Sequence, residues 1–197
     1  MQLNIGVLAL QGDFQEHCAM LEMLEVNVSE VRLPHQLDGL DGLVIPGGES
    51  TAIVKLANRY DFPDALRLFI DNGGAVWGTC AGMIVMASKL VEEEPEPFSL
   101  MDITVSRNSF GRQVDSFETD ILVKGVPGGP VHAVFIRAPS VKEQGAGVEC
   151  IATLSDGTPV AVRSGKLMAT SFHPELTPDT RIHELFLQLA AGELSPA

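Results

Sequence analysis

Apolar residues cluster in short unbroken runs along the first half of the chain, and between the runs they recur at helical spacing. Residues 5–10, Ile-Gly-Val-Leu-Ala-Leu, form a continuous apolar run, the pattern of a central strand covered on both faces. Gln11-Gly12-Asp13 interrupts it. Residues 14–24 then carry Phe14, Cys18, Leu21 and Leu24 at helical spacing, with Asp13 as the expected N-cap. The same reading predicts strands at 26–33, 42–45 and 75–77, helices at 50–60 and 63–72, and a helix-like stretch at 83–87. Strands alternating with helices imply a parallel sheet covered on both faces. Beyond Leu90 the pattern changes: residues 103–163 predict short strands joined by Gly, Pro and Ser turns, expected to be antiparallel. A return strand at 167–171 and a terminal helix at 181–191, with Ile182, Leu185, Phe186 and Leu189 on one face, complete the pattern.

The predicted fold class is α/β, and the 197 residues are expected to form one domain spanning 1–197, with no internal repeat and no separating linker. A hydrophobic fraction of 45% with 20% charged residues is that of a globular chain. No apolar run approaches the roughly 20 residues of a membrane span. Met1-Gln2-Leu3-Asn4 carries no basic segment ahead of an apolar stretch, so no secretory signal and a cytoplasmic location are expected. Cys18, Cys80 and Cys150 are odd in number and far apart, which argues against a disulfide framework and against a CxxC redox or zinc site. The formal charge of −13, from 26 acidic and 13 basic residues without a basic cluster, argues against a nucleic-acid partner. The acidic stretch 92–97 is expected to be a solvated loop.

Candidate chemistry centres on Gly78-Thr79-Cys80-Ala81-Gly82, between the predicted strand at 75–77 and the helix-like stretch at 83–87. A side chain lifted onto a sharp strand-to-helix turn needs small neighbours, and glycine stands two residues before and two after Cys80. The helix that follows directs its N-terminal dipole at the sulfur, which favours thiolate. A cysteine nucleophile works best with a base and a group that orients the base. His173-Pro174-Glu175 supplies both, since proline favours extended geometry before it and residues i and i+2 of extended chain share a side. Taken singly, each feature has a plain structural reading, a small buried hydrophobe or a turn; taken together they describe a Cys-His-Glu triad. Cys18 and Cys150 keep the structural reading. Pro46-Gly47-Gly48-Glu49-Ser50 follows a strand and opens a helix, so Gly48 and the N–H of Ala81 are the expected oxyanion donors. Neither GxGxxG nor GxxxxGK[ST] occurs, which argues against a nucleotide site. Arg107, in the polar loop 107–113, and Arg137, at the strand end Ile136-Arg137, are each candidates to clamp a carboxylate or to form surface ion pairs.

These motifs together resemble the class I glutamine amidotransferases, with Gly-x-Cys-x-Gly at the elbow and His-Pro-Glu near the end. Residues 6–12 with Glu16-His17, then 46–51, 78–82, 106–113 and 171–175, match one branch of that family across nearly the whole chain. The resemblance implies a single-domain, three-layer fold with a mostly parallel sheet and a short antiparallel extension. It further implies that Cys80 attacks the side-chain amide of L-glutamine, that His173 shuttles protons and that Glu175 orients His173. By the same matching Gly48, Glu49, Ser50, Arg107, Ile136 and Arg137 would hold glutamine, and Gln11 would belong to partner-dependent activation. Ammonia would pass to a (β/α)₈-barrel synthase that makes pyridoxal 5′-phosphate from ribose 5-phosphate and glyceraldehyde 3-phosphate. The reaction is expected to need no metal and no cofactor. Two rivals share parts of the pattern: an amidotransferase component serving histidine, purine or anthranilate synthesis, and a cysteine hydrolase or deglycase of related fold. Enzymes of the second kind place histidine directly after the nucleophile, where this chain has Ala81. A decayed binding module would have lost a triad residue, and all three are present.

Overall fold

The computed structural model describes residues 2–107 and 116–194. In chain order the first half contains β1 (Asn4–Leu8), α1 (Phe14–Glu22), β2 (Asn27–Val31), a 3₁₀ turn (Pro34–Leu37), β3 (Gly42–Ile45), α2 (Ser50–Arg59), α3 (Phe62–Asp71), β4 (Ala75–Thr79), α4 (Ala81–Met86) and β5 (Ala87–Leu90). The second half contains β6 (Met101–Ser106), β7 (Ser116–Ile121), β8 (Val131–Ile136), β9 (Ser140–Gln144), β10 (Glu149–Thr153), β11 (Pro159–Ser164), β12 (Leu167–Thr170), a 3₁₀ turn (Pro174–Leu176) and α5 (Arg181–Ala191).

Side-chain alternation along the inner strands builds two cores on opposite faces of one sheet. Leu43, Ile45 and Val76 join Ile53, Phe62, Leu66 and Met83 on one face, whereas Val44, Ala75 and Trp77 join Leu21, Phe135, Phe172 and Phe186 on the other. Every residue of β3 and of β4 is buried, as expected of parallel strands with helices on both sides. The sheet runs β10-β11-β12-β4-β3-β1-β2. Its members from β12 to β2 pair in parallel, while β10 and β11 extend it antiparallel. Two smaller sheets, β5-β6-β9 and β7-β8, account for the rest of the described strands.

Two expectations need correction. The helix-like stretch 83–87 ends at Met86, because Ala87 turns to φ −57°, ψ 153° and enters β5. Asp13 precedes α1 without a side-chain cap bond, because its carboxylate turns toward His173, 3.7 Å away. Within 103–163 the pairs β6–β9, β7–β8 and β10–β11 are antiparallel, as expected, while β5, which precedes that stretch, pairs with β6 in parallel. No helix among the described residues is long and apolar enough to cross a membrane.

Register brings the chemistry to one edge. Thr79 pairs with Thr170 and Gly78 with Ile45, so the segments after β3, β4 and β12 all leave at the carboxyl ends of adjacent parallel strands, where open α/β sheets place their sites.

Candidate active site

Cys80 sits at φ 48°, ψ −104°, directly between β4 and α4. For a residue with a Cβ this conformation costs on the order of 1–3 kcal/mol and persists only when its surroundings enforce it. The Cys80 N–H donates to the Thr170 carbonyl at 2.8 Å, and α4 starts at the next residue. Gly82 makes the turn possible by close approach, because a Cβ there would stand 2.0 Å from the Ile45 carbonyl oxygen. That neighbour is strand backbone and cannot step aside. Gly82→Ala is therefore expected to lower stability by on the order of 3–4 kcal/mol, read from the denaturation midpoint; a loss below about 1 kcal/mol would contradict this packing.

His173 is anchored by its N–H to the Val134 carbonyl at 2.8 Å, and its Nδ1 lies 2.7 Å from Glu175 Oε1. Glu175 reaches that position from the 3₁₀ turn Pro174–Leu176, not from the extended chain expected from proline; the pair meets because the turn folds Glu175 back under the ring. Burial disfavours the charged ring, yet the hydrogen bonds to Cys80 and Glu175 outweigh it and His173 is pushed up to about 10. Burial also pushes the Glu175 carboxyl above the usual range, against the pull of His173. With the carboxylate at 2.7 Å from the ring nitrogen, the charged pair is the favoured state.

Cys80 and His173 open on a cavity of about 460 Å³ that is also lined by Gln11, Asp13, Gly48, Glu49, Ser50, Ala81, Ile84, Arg107, Ile136 and Arg137. The structure thus gathers every site residue named from the sequence around one cavity, with Glu175 behind His173. Gly48 occupies φ +149°, which favours glycine, and a Cβ there would meet Gln11 Oε1 at 2.6 Å. Gln11 Oε1 accepts the Glu49 N–H at 2.7 Å. The Glu49 carboxylate accepts the N–H groups of Thr51 at 3.0 Å and Ala52 at 2.7 Å, capping α2, and lies 3.6 Å from Arg107 Nη2. Slight burial opposes its charge, but those backbone bonds prevail and hold Glu49 below the usual carboxylate range. Arg137 takes φ 43° at the end of β8, and the Ile136 carbonyl lies 3.8 Å from Cys80 Sγ. Asp13, His173 and Glu175 bring metal-ligating atoms within 4.8 Å of one another, but His173 Nδ1 and Glu175 Oε1 are committed to each other.

The sequence matches the SNO glutamine amidotransferase family over residues 7–191. The chain belongs to that family. Among its relatives, the pyridoxal 5′-phosphate synthase subunit PdxT of Herpetosiphon aurantiacus is 53% identical over 190 residues, covering 95% of this chain and all of the relative. The PdxT of Dehalococcoides mccartyi strain 195 is 53% identical over 190 residues, 95% of this chain and 97% of its own. The crystal structure of a glutamine amidotransferase, 50% identical, superposes with a TM-score of 0.90 over 95% of this chain and 98% of its own. A putative GMP synthase protein from Thermoplasma acidophilum, 18% identical with a TM-score of 0.70 over 98% and 96% of the two chains, shares the fold.

For this SNO-family chain, sequence reasoning missed three contributions. Glu92 lies in the stretch expected to be solvated, yet its carboxylate accepts the Ser106 hydroxyl at 3.1 Å and the Arg107 N–H at 3.0 Å, and the Glu94 carbonyl accepts from Arg107 Nη1 at 2.7 Å. The acidic stretch therefore holds Arg107 at the cavity. Asp13 carries only a helix-cap signal in the sequence. His17 enters there only as part of a matching motif, although its place on the same helix face as Leu21 is a signal that it is buried. Of the polar loop 107–113, residues 108–113 lie outside the described residues.

Proposed function

We propose that this chain is the glutamine-hydrolysing subunit of a pyridoxal 5′-phosphate synthase, acting through a glutamyl thioester on Cys80. One observation carries the reading: a cysteine held at a strained turn shares a cavity with a histidine whose other nitrogen is bound by a buried carboxylate. The near-full-length identity to PdxT subunits supports glutamine as the substrate and a synthase as the partner.

In this mechanism the Cys80 thiolate attacks the amide carbon of L-glutamine, and the N–H groups of Gly48 and Ala81 receive the developing oxyanion. The imidazolium of His173 gives its proton to the amide nitrogen, the C–N bond breaks and ammonia leaves. Acylated sulfur no longer carries charge, so His173 loses one support of its proton and serves next as the base. It takes a proton from water as the oxygen attacks the thioester. Glutamate departs, and the thiolate–imidazolium pair is restored. Arg107 and Arg137 fit the α-carboxylate of glutamine and Glu49 its α-amino group. Ammonia then passes to a (β/α)₈-barrel synthase that makes the cofactor from ribose 5-phosphate and glyceraldehyde 3-phosphate, in the cytoplasm. Gln11 fits a role in partner-dependent activation, since its side chain holds the Glu49 N–H beside Gly48.

Peptide mass spectrometry of the chain quenched during turnover with glutamine tests the reading. A glutamyl adduct on Cys80 is expected; an adduct elsewhere, or none under conditions that slow deacylation, would contradict it. The raised pKa of His173 predicts the alkaline limb. The imidazolium is present below about 10, so ammonia release is expected to persist through neutral pH and to fall as pH rises through about 10. By linkage the same charge stabilises the fold fully below pH 6.5, and that contribution is lost as pH rises through about 10. A limb near 6.5 in the pH profile would show that the ion pair does not form.

A further inference from the structure

Behind Glu175 lies a second pair of imidazoles, and none of the chemistry above uses it. His17, fully buried on α1, places Nε2 3.3 Å from Glu175 Oε2 and 3.1 Å from Thr79 Oγ1, and Nδ1 3.1 Å from His183 Nε2 on α5. Glu175 Oε2 has no geometrically sound hydrogen bond among the described residues, and His183 Nδ1 has no partner there at all. Trp77 seals the group from water, its ring edge-on to His17 at 5.4 Å and to His183 at 5.0 Å. Its own N–H is engaged by Thr170 Oγ1 at 3.2 Å.

We propose that His17 is a positioning residue for glutamine hydrolysis: as the neutral Nε2–H tautomer it steadies the second carboxylate oxygen of Glu175, and His183 sets that tautomer. The inference rests on the glutaminase reading and adds two residues to the triad.

Proton counting supports it. Burial holds His17 well below its ordinary pKa and brings His183 to about 4, so each ring carries one proton at neutral pH. Only one proton fits between His17 Nδ1 and His183 Nε2. If His17 Nδ1 held it, the Nε2 lone pair could accept from the Thr79 hydroxyl but would face the Glu175 carboxylate in repulsion, and His183 would carry its proton on Nδ1, a buried N–H with nothing among the described residues to receive it. Both are costly in a dry site. If His183 Nε2 holds the proton, His17 carries its own on Nε2, aimed between Glu175 Oε2 and Thr79 Oγ1, and His183 is left with an unfilled lone pair, the cheaper vacancy. The resulting chain runs His183 to His17 to Glu175, and from the other side His173 to Glu175. Its 3.3 Å link is long, as catalytic hydrogen bonds often are before substrate binds. Thr79 ends β4 and precedes Cys80, so the same imidazole touches the base of the elbow.

Two measurements decide the matter. Long-range ¹H–¹⁵N NMR of the histidine rings is expected to show Nε2–H tautomers at His17 and His183; a proton on His17 Nδ1 would overturn the proposal. Ammonia release is then measured for the chain with the synthase subunit of its own organism. His17→Leu is expected to lower kcat roughly ten- to hundred-fold, the worth of a hydrogen bond to a charged group, with KM for glutamine within about two-fold. His17→Gln, whose amide N–H stands where Nε2–H stood, is expected to restore kcat to within about three-fold of wild type. Equal losses in the two folded variants, or a loss confined to KM, would overturn the positioning role. If His17→Leu fails to fold, the wild-type tautomers decide alone. A wild-type complex that releases no ammonia overturns the glutaminase reading, and this inference with it.

Discussion

Replacing Cys80 by alanine is expected to abolish ammonia release from glutamine, by on the order of 10⁵-fold or more, while the chain stays folded. Loss of a nucleophile that acts as one unit with its base removes nearly all covalent catalysis. The strained backbone makes a second outcome available. Cys80→Gly removes the Cβ that makes φ 48°, ψ −104° costly. Set against the greater freedom glycine has in the unfolded chain, the relief should leave a net gain of about 1 kcal/mol. For a chain of this size that is a rise in Tm of about 2–4 °C. Cys80→Ala keeps the strain and gains nothing comparable. Thermal melts of the two inactive variants therefore separate the chemical role of the sulfur from the conformational cost of presenting it. A glycine variant no more stable than the alanine one would mean that the turn is not strained.

Glu175→Gln is expected to lower kcat by about 10³–10⁴-fold, with KM for glutamine changed only a few-fold. The amide has nearly the shape of the carboxylate but carries no charge, and half of it donates. Its NH₂ would meet either the His173 Nδ1 proton or the His17 Nε2 proton. One of the rings must then change tautomer. His173 also loses the anion that, with Cys80, lifts its pKa to about 10, so the alkaline limb of the activity profile should move toward 6.5. Because Glu175 lies behind His173 and outside the cavity lining, substrate binding should survive, as glutamine titration of the slow variant by calorimetry would show. A loss of binding equal to the loss of turnover would place Glu175 among the substrate contacts instead.

The elbow, the histidine–glutamate pair and the glycine loop are legible in the sequence because each is a contiguous motif whose spacing expresses a local backbone demand. Gly82 is needed because strand backbone passes within 2.0 Å of where its Cβ would be, and Gly48 because its φ is +149°. The pairing of His173 with Glu175 arises for a different reason from the one the sequence suggests, since the intervening proline starts a 3₁₀ turn and does not prolong a strand. What stays hidden depends on contacts between distant segments. His17 meets His183 across 166 positions, and Glu92 reaches Arg107 across 15. Composition points the other way for Glu92, whose acidic neighbours read as solvated loop. Asp13 could serve either a helix end or the ring of His173, and only the packed loops show that it faces His173. The parallel pairing of β5 with β6 likewise has no local signature, because short strands of either direction share the same alternation.

The central claim is that this chain liberates ammonia from glutamine through Cys80 and does so for a synthase. Ammonia release is therefore measured with L-glutamine for the wild-type chain and for Cys80→Ala, each with and without the pyridoxal 5′-phosphate synthase subunit of the same organism. The account predicts release by the wild type that rises when the synthase is added and is absent from Cys80→Ala in both conditions. Undiminished release by Cys80→Ala, or no release by the wild type with its synthase present, would contradict it.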